Sequence, residues 1–231
     1  MKRVVGLIVL LVVGFSIGEF ASAARRGLEY DELWTWEHYA RAESVGIIFS
    51  DLTTPNNHPL HSLLVRWSVG LWGEGELAVR LPALAAGVLL LALLPVVLWT
   101  LTQDAVVAAL TTMLCVLNAP LLHFLQTARG YGLQTLSVML CVSFLWWSRR
   151  DSRWLVGAVL AGIAGALTLP TTILFIAPVI VVDLVLRRRE RVVWIAHGIL
   201  GVVVGPDRAA AATSQARARQ PRPRLPRHAS R

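Results

Sequence analysis

Seven apolar runs, most of them separated by only a few polar residues, dictate what this chain can fold into. The first, Val4 to Phe20, extends to Ala24 and so matches the ~20 residues a helix needs to cross hydrocarbon. Met1-Lys2-Arg3 before it and Ala21-Ser22-Ala23 after it also suit a cleavable signal peptide. The further runs favour a retained helix. Ala78 to Leu101 is a second span, with Pro82 near its start and Pro95 inside. Ala105 to Phe124 is a third and Tyr131 to Trp147 a fourth. Trp154 to Leu169 and Thr171 to Leu186 form a tight pair broken at Pro170, and a last run from Val192 stops at Gly205. Such a chain reads as all-α, a multi-pass transmembrane helical bundle. Composition agrees. Hydrophobic residues make up 55%, charged residues only 16%, and the mean hydropathy is +0.60, whereas a soluble domain carries ~25% charged residues.

One polar stretch interrupts the pattern. Glu29 to Pro82 holds eight of the chain's fourteen acidic residues. Hydrocarbon disfavours charge so strongly that a membrane protein puts its chemistry in such a place. This outer loop, residues 25–77, is expected to carry two short helices at the membrane surface. Asp31 to Ala42 has aromatics in helical phase, and Asp31 suits a helix N-terminus. Asn57 is placed to cap a second helix with Pro59 in its first turn. Leu60, Leu63, Leu64, Trp67 and Leu71 then form an apolar stripe, His61, Ser62, Arg66 and Ser68 lie off it, and Gly73 ends the helix. A tryptophan at the apolar edge suits a helix lying in the interface plane.

Basic residues in short loops set orientation. With the N-terminus cytoplasmic, Lys2, Arg3, Arg149, Arg150, Arg153 and the run Arg187, Arg188, Arg189, Arg191 all fall inside. The 25–77 loop and the link Gln126 to Tyr131 then share the outer face of the cell membrane. Trp146, Trp147 and Trp154 form an inner aromatic belt. Arg187 to Arg191 reads as a topology signal, with anionic lipid contact secondary.

The net charge of +8 is mostly tail: after Pro206 there are seven Arg against one Asp. It is therefore not a nucleic-acid footprint on a folded face. Residues 206–231 hold one Leu and no Ile, Val, Phe, Trp or Tyr, too little to bury a core. The tail interrupts the last run partway, as a truncated chain with an out-of-frame end would; a natural disordered basic tail is the alternative. Cys115 and Cys141 lie inside apolar runs and read as inert small hydrophobes.

Three groups can carry chemistry, and each has a plainer reading. Asp31-Glu32 just outside a membrane helix can act as general base on an acceptor hydroxyl, or can simply be a cap and a solvated first-turn charge. His58 and His61 flank Pro59 and can bind phosphate or a divalent metal, or be exposed on a capped surface helix; no cofactor is otherwise indicated. Two histidines at i, i+3 without a third ligand are a weak metal signal. Arg129, with Tyr131, can hold a lipid phosphate bidentately, or snorkel to headgroups. Arg80 is similar.

These residues also carry a resemblance. Asp31-Glu32 soon after a first span resembles the acidic motif of the GT-C membrane glycosyltransferases, which include the dolichyl-phosphate-mannose protein mannosyltransferases and the aminoarabinose and RgtA/B/C/D-like transferases. Asn57-His58-Pro59-Leu60, Trp72-Gly73-Glu74-Gly75-Glu76 and Arg80-Leu81-Pro82-Ala83-Leu84 are similar to that family's second block. Gln126-Thr127-Ala128-Arg129-Gly130-Tyr131 resembles its third. Leu60 stands where the family has a second proline, and Thr127 where it often has an acid. The likeness covers residues 2–205, read as one transmembrane domain (1–205). It implies a hexosyl- or mannosyltransferase-like enzyme taking sugar from a polyprenyl-phosphate carrier to a glycan, lipid or protein acceptor. Asp31 would be the base, with Glu32 beside it, and His58, Arg129 and Tyr131 would contact substrate. It also implies further spans beyond Gly205. The runner-up is a non-enzymatic multi-pass protein, a transporter part or assembly scaffold; transporters favour polar groups at mid-membrane, and these span centres are nearly free of charge.

Overall fold

The computed structural model describes residues 2–23, 25–51, 57–187 and 190–204. Over these residues it is all-helical, without a strand. The expectations for the 206–231 tail and for Arg188 and Arg189 lie outside the described residues. Helix α1 (Lys2–Ala23) leads into the polar 25–77 loop. The loop holds α2 (Tyr30–Thr35), a π-helical turn (Trp36–Ala40), α3 (Gly46–Ser50) and α4 (Pro59–Trp72). Then come α5 (Glu76–Thr102), α6 (Ala105–Val116), α7 (Ala119–Gln126), α8 (Tyr131–Trp147), α9 (Trp154–Thr168), α10 (Thr172–Leu186) and α11 (Arg191–Val204).

Two helices, α1 from Gly6 onward and α5, are long and apolar enough to cross a membrane. The number becomes three if α6 and α7 count as one span bent by 68°. The run over 105–124, expected as the third span, is thus two helices with a break between them. Asn118 accepts the Leu121 N–H and so caps a new helix with Pro120 in its first turn, and proline cannot continue the preceding ladder. Helices α8 to α11 have 14 to 17 residues, about 21–26 Å of rise against ~30 Å of hydrocarbon. Many large apolar side chains are nevertheless exposed, among them Leu10, Leu114, Val156, Val185 and Val202. An exterior so rich in apolar groups is suited to lipid.

Two apolar cores share α8. Val12 and Phe20 of α1, Leu84, Leu90 and Leu91 of α5, Val116, Leu125 and Leu136 form one. Cys141 and Leu145 of α8, Leu155 and Ala158 of α9, Ile176 of α10 and Val193 and Leu200 of α11 form the other. Because α8 belongs to both, packing on two sides fixes the helix whose first residue, Tyr131, ends the third sequence block. A smaller core of Val65, Val69, Ala78, Val79 and Ala128 seats the 25–77 loop on the bundle.

The loop departs from expectation in three ways. The helix predicted over 31–42 ends at Thr35 and continues as the π turn, whose extra residue per turn re-aims side chains. Tyr39 thereby points inward and donates to Asp51 at 2.8 Å. Asn57 does not cap α4: His58 is the N-cap residue with Pro59 after it. The Asn57 amide instead donates to the carbonyls of Ile48 (2.7 Å) and Asp51 (2.8 Å), closing the end of α3. Finally, α4 packs with its polar side in. His61, Ser62 and Ser68 are buried while Trp67 and Leu71 of the apolar stripe are exposed. An apolar face turned outward loses little where its surroundings are themselves apolar. Of the buried polar groups, Ser68 donates to the Ala78 carbonyl at 2.6 Å. Gly73 closes the helix at φ +88°, a conformation that costs only glycine nothing.

Candidate functional site

The acidic pair opens α2. Glu29 is the extended N-cap residue, and Glu32, three residues on, accepts its N–H at 2.8 Å in capping-box fashion. Asp31 and Glu32 are therefore both in the first turn, favourable against the helix dipole, and Asp31 is not itself the cap. One turn of helix sends the two carboxylates different ways. Glu32 points into the bundle and is 0% exposed. Asp31 stays at the rim, its side chain 33% exposed.

Arg80 meets Glu32 inside. Its Nε donates to Oε1 at 2.8 Å and its Nη2 to Oε2 at 2.6 Å, a bidentate pair. The remaining guanidinium protons go to the carbonyls of Ala23 (2.7 Å), Arg26 (2.6 Å) and Gly27 (2.8 Å), where α1 ends. All five donors of Arg80 are used. Glu32 Oε1 also accepts the Ala128 N–H at 2.6 Å, so its acceptor sites are filled too. Burial alone would push the Glu32 carboxyl up; the Arg80 hydrogen bond, the Glu29 and Ala128 N–H groups and the Arg80 charge outweigh it and hold it below the ordinary carboxylate value. Arg80 is 3% exposed. It neither snorkels nor reaches a headgroup, contrary to expectation.

This knot hangs the third sequence block on the first. Ala128 is fixed to Glu32, and the next residue along is brought to the preceding acid: Arg129 Nη1 lies 2.9 Å from Asp31 Oδ2. Gln126 accepts from Arg26 at 2.6 Å. The Arg129 guanidinium sits 4.9 Å from the Tyr131 ring centroid, a cation–π contact. Tyr131 also packs against His58 (5.8 Å) and Phe124 (5.1 Å). His58, Asp31, Arg129 and Tyr131 are thus one constellation at the N-terminal end of α8, with Glu32 and Arg80 beneath as positioning residues. Glu32, expected beside Asp31 in the chemistry, lies wholly inside. The signal for the Glu32–Arg80 pair was in the sequence as an arginine one turn into an apolar helix, but nothing named its partner.

His58 and His61 are both buried, and no hydrogen bond of normal geometry reaches either ring; His58 has only a looser approach to the Thr168 backbone. They are not the exposed pair of the plainer sequence reading. Burial, then the Arg129 charge, lowers His58 to about 4. Burial, then His58, lowers His61 to about 3. Both are neutral at pH 7. Among the described residues no group of three or more His, Cys, Asp or Glu is placed to hold a metal. The histidines carry an acid-sensitivity prediction. In the unfolded chain they titrate near the ordinary value of 6.5 and so bind protons that the folded protein refuses. Stability should fall as pH drops below that value, by about 2 kcal/mol per histidine at pH 5. Glu32 acts in the same direction only at lower pH, below the ordinary carboxylate value of 4.5. Melting of the detergent-solubilised protein at pH 7.5 and 5 tests this. His61→Leu should remove about half of the difference, and an equal melt for the parent at both values would refute it.

Gly130 lets the pieces meet. A Cβ there would lie 2.7 Å from Thr168 Cγ2 and 3.1 Å from His58 Cβ and Cγ. Gly130→Ala is therefore expected to cost about 1–3 kcal/mol through overpacking, and Thr168→Ser in the same chain to recover part of it. A silent Gly130→Ala melt would show that the link gives way easily.

Comparison of the chain with family models, with curated proteins and with solved structures returns no match.

Proposed function

We propose that this chain handles donor and acceptor in a GT-C-type membrane glycosyltransferase. In this reading a sugar passes from a polyprenyl-phosphate carrier to a hydroxyl on a glycan, lipid or protein acceptor. The multi-pass topology, with the N-terminus cytoplasmic and residues 25–77 on the outer face of the cell membrane, is part of the proposal. The observation that carries it is the half-open Asp31 carboxylate, 2.9 Å from Arg129, at the point where residues from all three sequence blocks converge.

The chemistry follows from that pair. Arg129 is a bidentate anion ligand by nature, and an incoming carrier phosphate competes with Asp31 for it. Drawing Arg129 toward phosphate leaves the Asp31 carboxylate to take the proton of the acceptor hydroxyl. The acceptor oxygen attacks the anomeric carbon, the bond from that carbon to the phosphate oxygen breaks, and the carrier phosphate leaves with the electron pair. The anomeric centre inverts. Tyr131 and neutral His58 shape the pocket wall beside the sugar. Glu32 and Arg80 hold the frame. The test is transfer from a polyprenyl-phosphate sugar by Asp31→Asn protein shown to be folded.

A further inference from the structure

We propose that the groove between the C-terminal ends of α5, α8 and α10 binds one anionic phospholipid, an acyl chain along its apolar lining and the phosphate on Arg149. The inference rests on the membrane reading and on nothing at the Asp31 site. The groove encloses about 540 Å³ and is lined by Leu101, Val142, Leu145, Trp146, Pro178, Val179 and Val182, with Arg149 and Asp183 at one end. Its apolar length suits a hydrocarbon chain, and its charged end commits the headgroup.

Of the two charges at that end, only one faces out. The Asp183 side chain is 4% exposed and already surrounded: His197 Nε2 lies 3.3 Å away and the Arg187 guanidinium 3.8 Å. Arg187 in turn donates to the Ser148 hydroxyl (2.6 Å) and to Glu190 (2.7 Å). It is therefore an internal structural ion, not the headgroup contact that the Arg187–Arg191 run suggested. Arg149 is different. Its side chain is 39% exposed, it stands 4.9 Å over the Trp146 ring, and its approach to Asp183 is a long 3.9 Å. A phosphate at the groove mouth meets a guanidinium that is held in place but not saturated by a partner. Arg150 and Arg153, both exposed, add positive charge beside it, against the single Asp151. Exposed Trp146 and Trp154 put this end at headgroup depth, where aromatic belts sit. The groove then runs from Arg149 toward the bilayer centre past Val142 and Pro178.

The experiment is native mass spectrometry of the full chain ejected from nanodiscs of equal phosphatidylglycerol and phosphatidylcholine. One phosphatidylglycerol should be retained per chain, about fivefold over phosphatidylcholine, the effect expected of one basic residue near an anionic phosphate. Arg149→Gln should abolish the preference and Arg149→Lys keep most of it. Val182→Trp, which fills the groove from an exposed wall, should remove the bound lipid. Equal retention of the two lipids, or a preference that survives Arg149→Gln, overturns the proposal. An alkaline carbonate wash separates the two levels. Release of the chain from membranes overturns the membrane reading and this inference with it, whereas a chain that stays embedded yet shows no preference overturns the inference alone.

Discussion

On the proposed mechanism, Asp31→Asn is expected to leave folding intact and to cut sugar transfer by ~10²- to 10⁴-fold, the usual loss when a general base is removed. The substitution keeps the side-chain shape and deletes the proton acceptor. Two structural features make the result readable. First, Glu29 and not Asp31 occupies the N-cap position of α2, so no cap is lost. Second, the ion pair to Arg129 is partly solvated, with side chains 23% and 33% exposed, and pairs of that kind contribute ~0–1 kcal/mol. A melt within a few degrees of the parent together with collapsed transfer is the expected pattern. Normal transfer by the folded variant would remove Asp31 from the mechanism. Glu32 is no substitute, because its carboxylate already accepts from Arg80, Glu29 and Ala128 and cannot turn to a substrate without dismantling the frame. A variant that fails to fold would instead show that the Asp31–Arg129 contact is structural.

Arg80→Leu is expected to cost about 3–5 kcal/mol, the loss typical when one partner of a buried ion pair is removed. The guanidinium joins four pieces of chain: the carbonyls ending α1, the carboxylate of α2, its own helix α5, and, through Glu32, the link before α8. Leucine fills much of the volume but leaves the Glu32 charge buried and three carbonyls without their donor. The apparent melting temperature should drop sharply, and transfer should fail with it because Arg129 is no longer held beside Asp31. Adding Glu32→Leu removes the stranded charge, so the double variant should melt above Arg80→Leu alone. If the two losses simply add, the pair is not coupled and the frame rests elsewhere.

Much of the helical layout is legible in the residues alone. The boundaries of α8, α9 and α10 lie within a residue or two of the apolar runs, because an apolar segment ended by glycine, proline or arginine has few other choices. The break at Pro170 and the end at Gly73 follow from backbone geometry alone. The bend at Asn118 is also written in the residues, as an Asn two places before a proline, but a run of hydrophobic residues hides it. The orientation of α4 is not legible. Its apolar stripe is plain, yet whether such a stripe faces core or lipid depends on what lies outside, and periodicity is the same in both cases.

For the site, the sequence by itself determined which residues were candidates. Acids beside a span, histidines around a proline and an arginine in a link are conspicuous because charge near hydrocarbon is costly and rarely idle. It also determined that Asp31 and Glu32 open a helix. Only the tertiary structure decided how the two divide. Adjacent residues on a helix point about 100° apart, so one faces the bundle and the other the rim, and which is which depends on where α1, α5 and the 126–131 link pack. The same packing turned Arg80 from a headgroup ligand into the partner of Glu32, and set Arg129 against Asp31 across nearly a hundred residues of chain. Pairings over such distances are absent from local pattern, because a side chain's partner is whatever the fold brings within hydrogen-bonding reach.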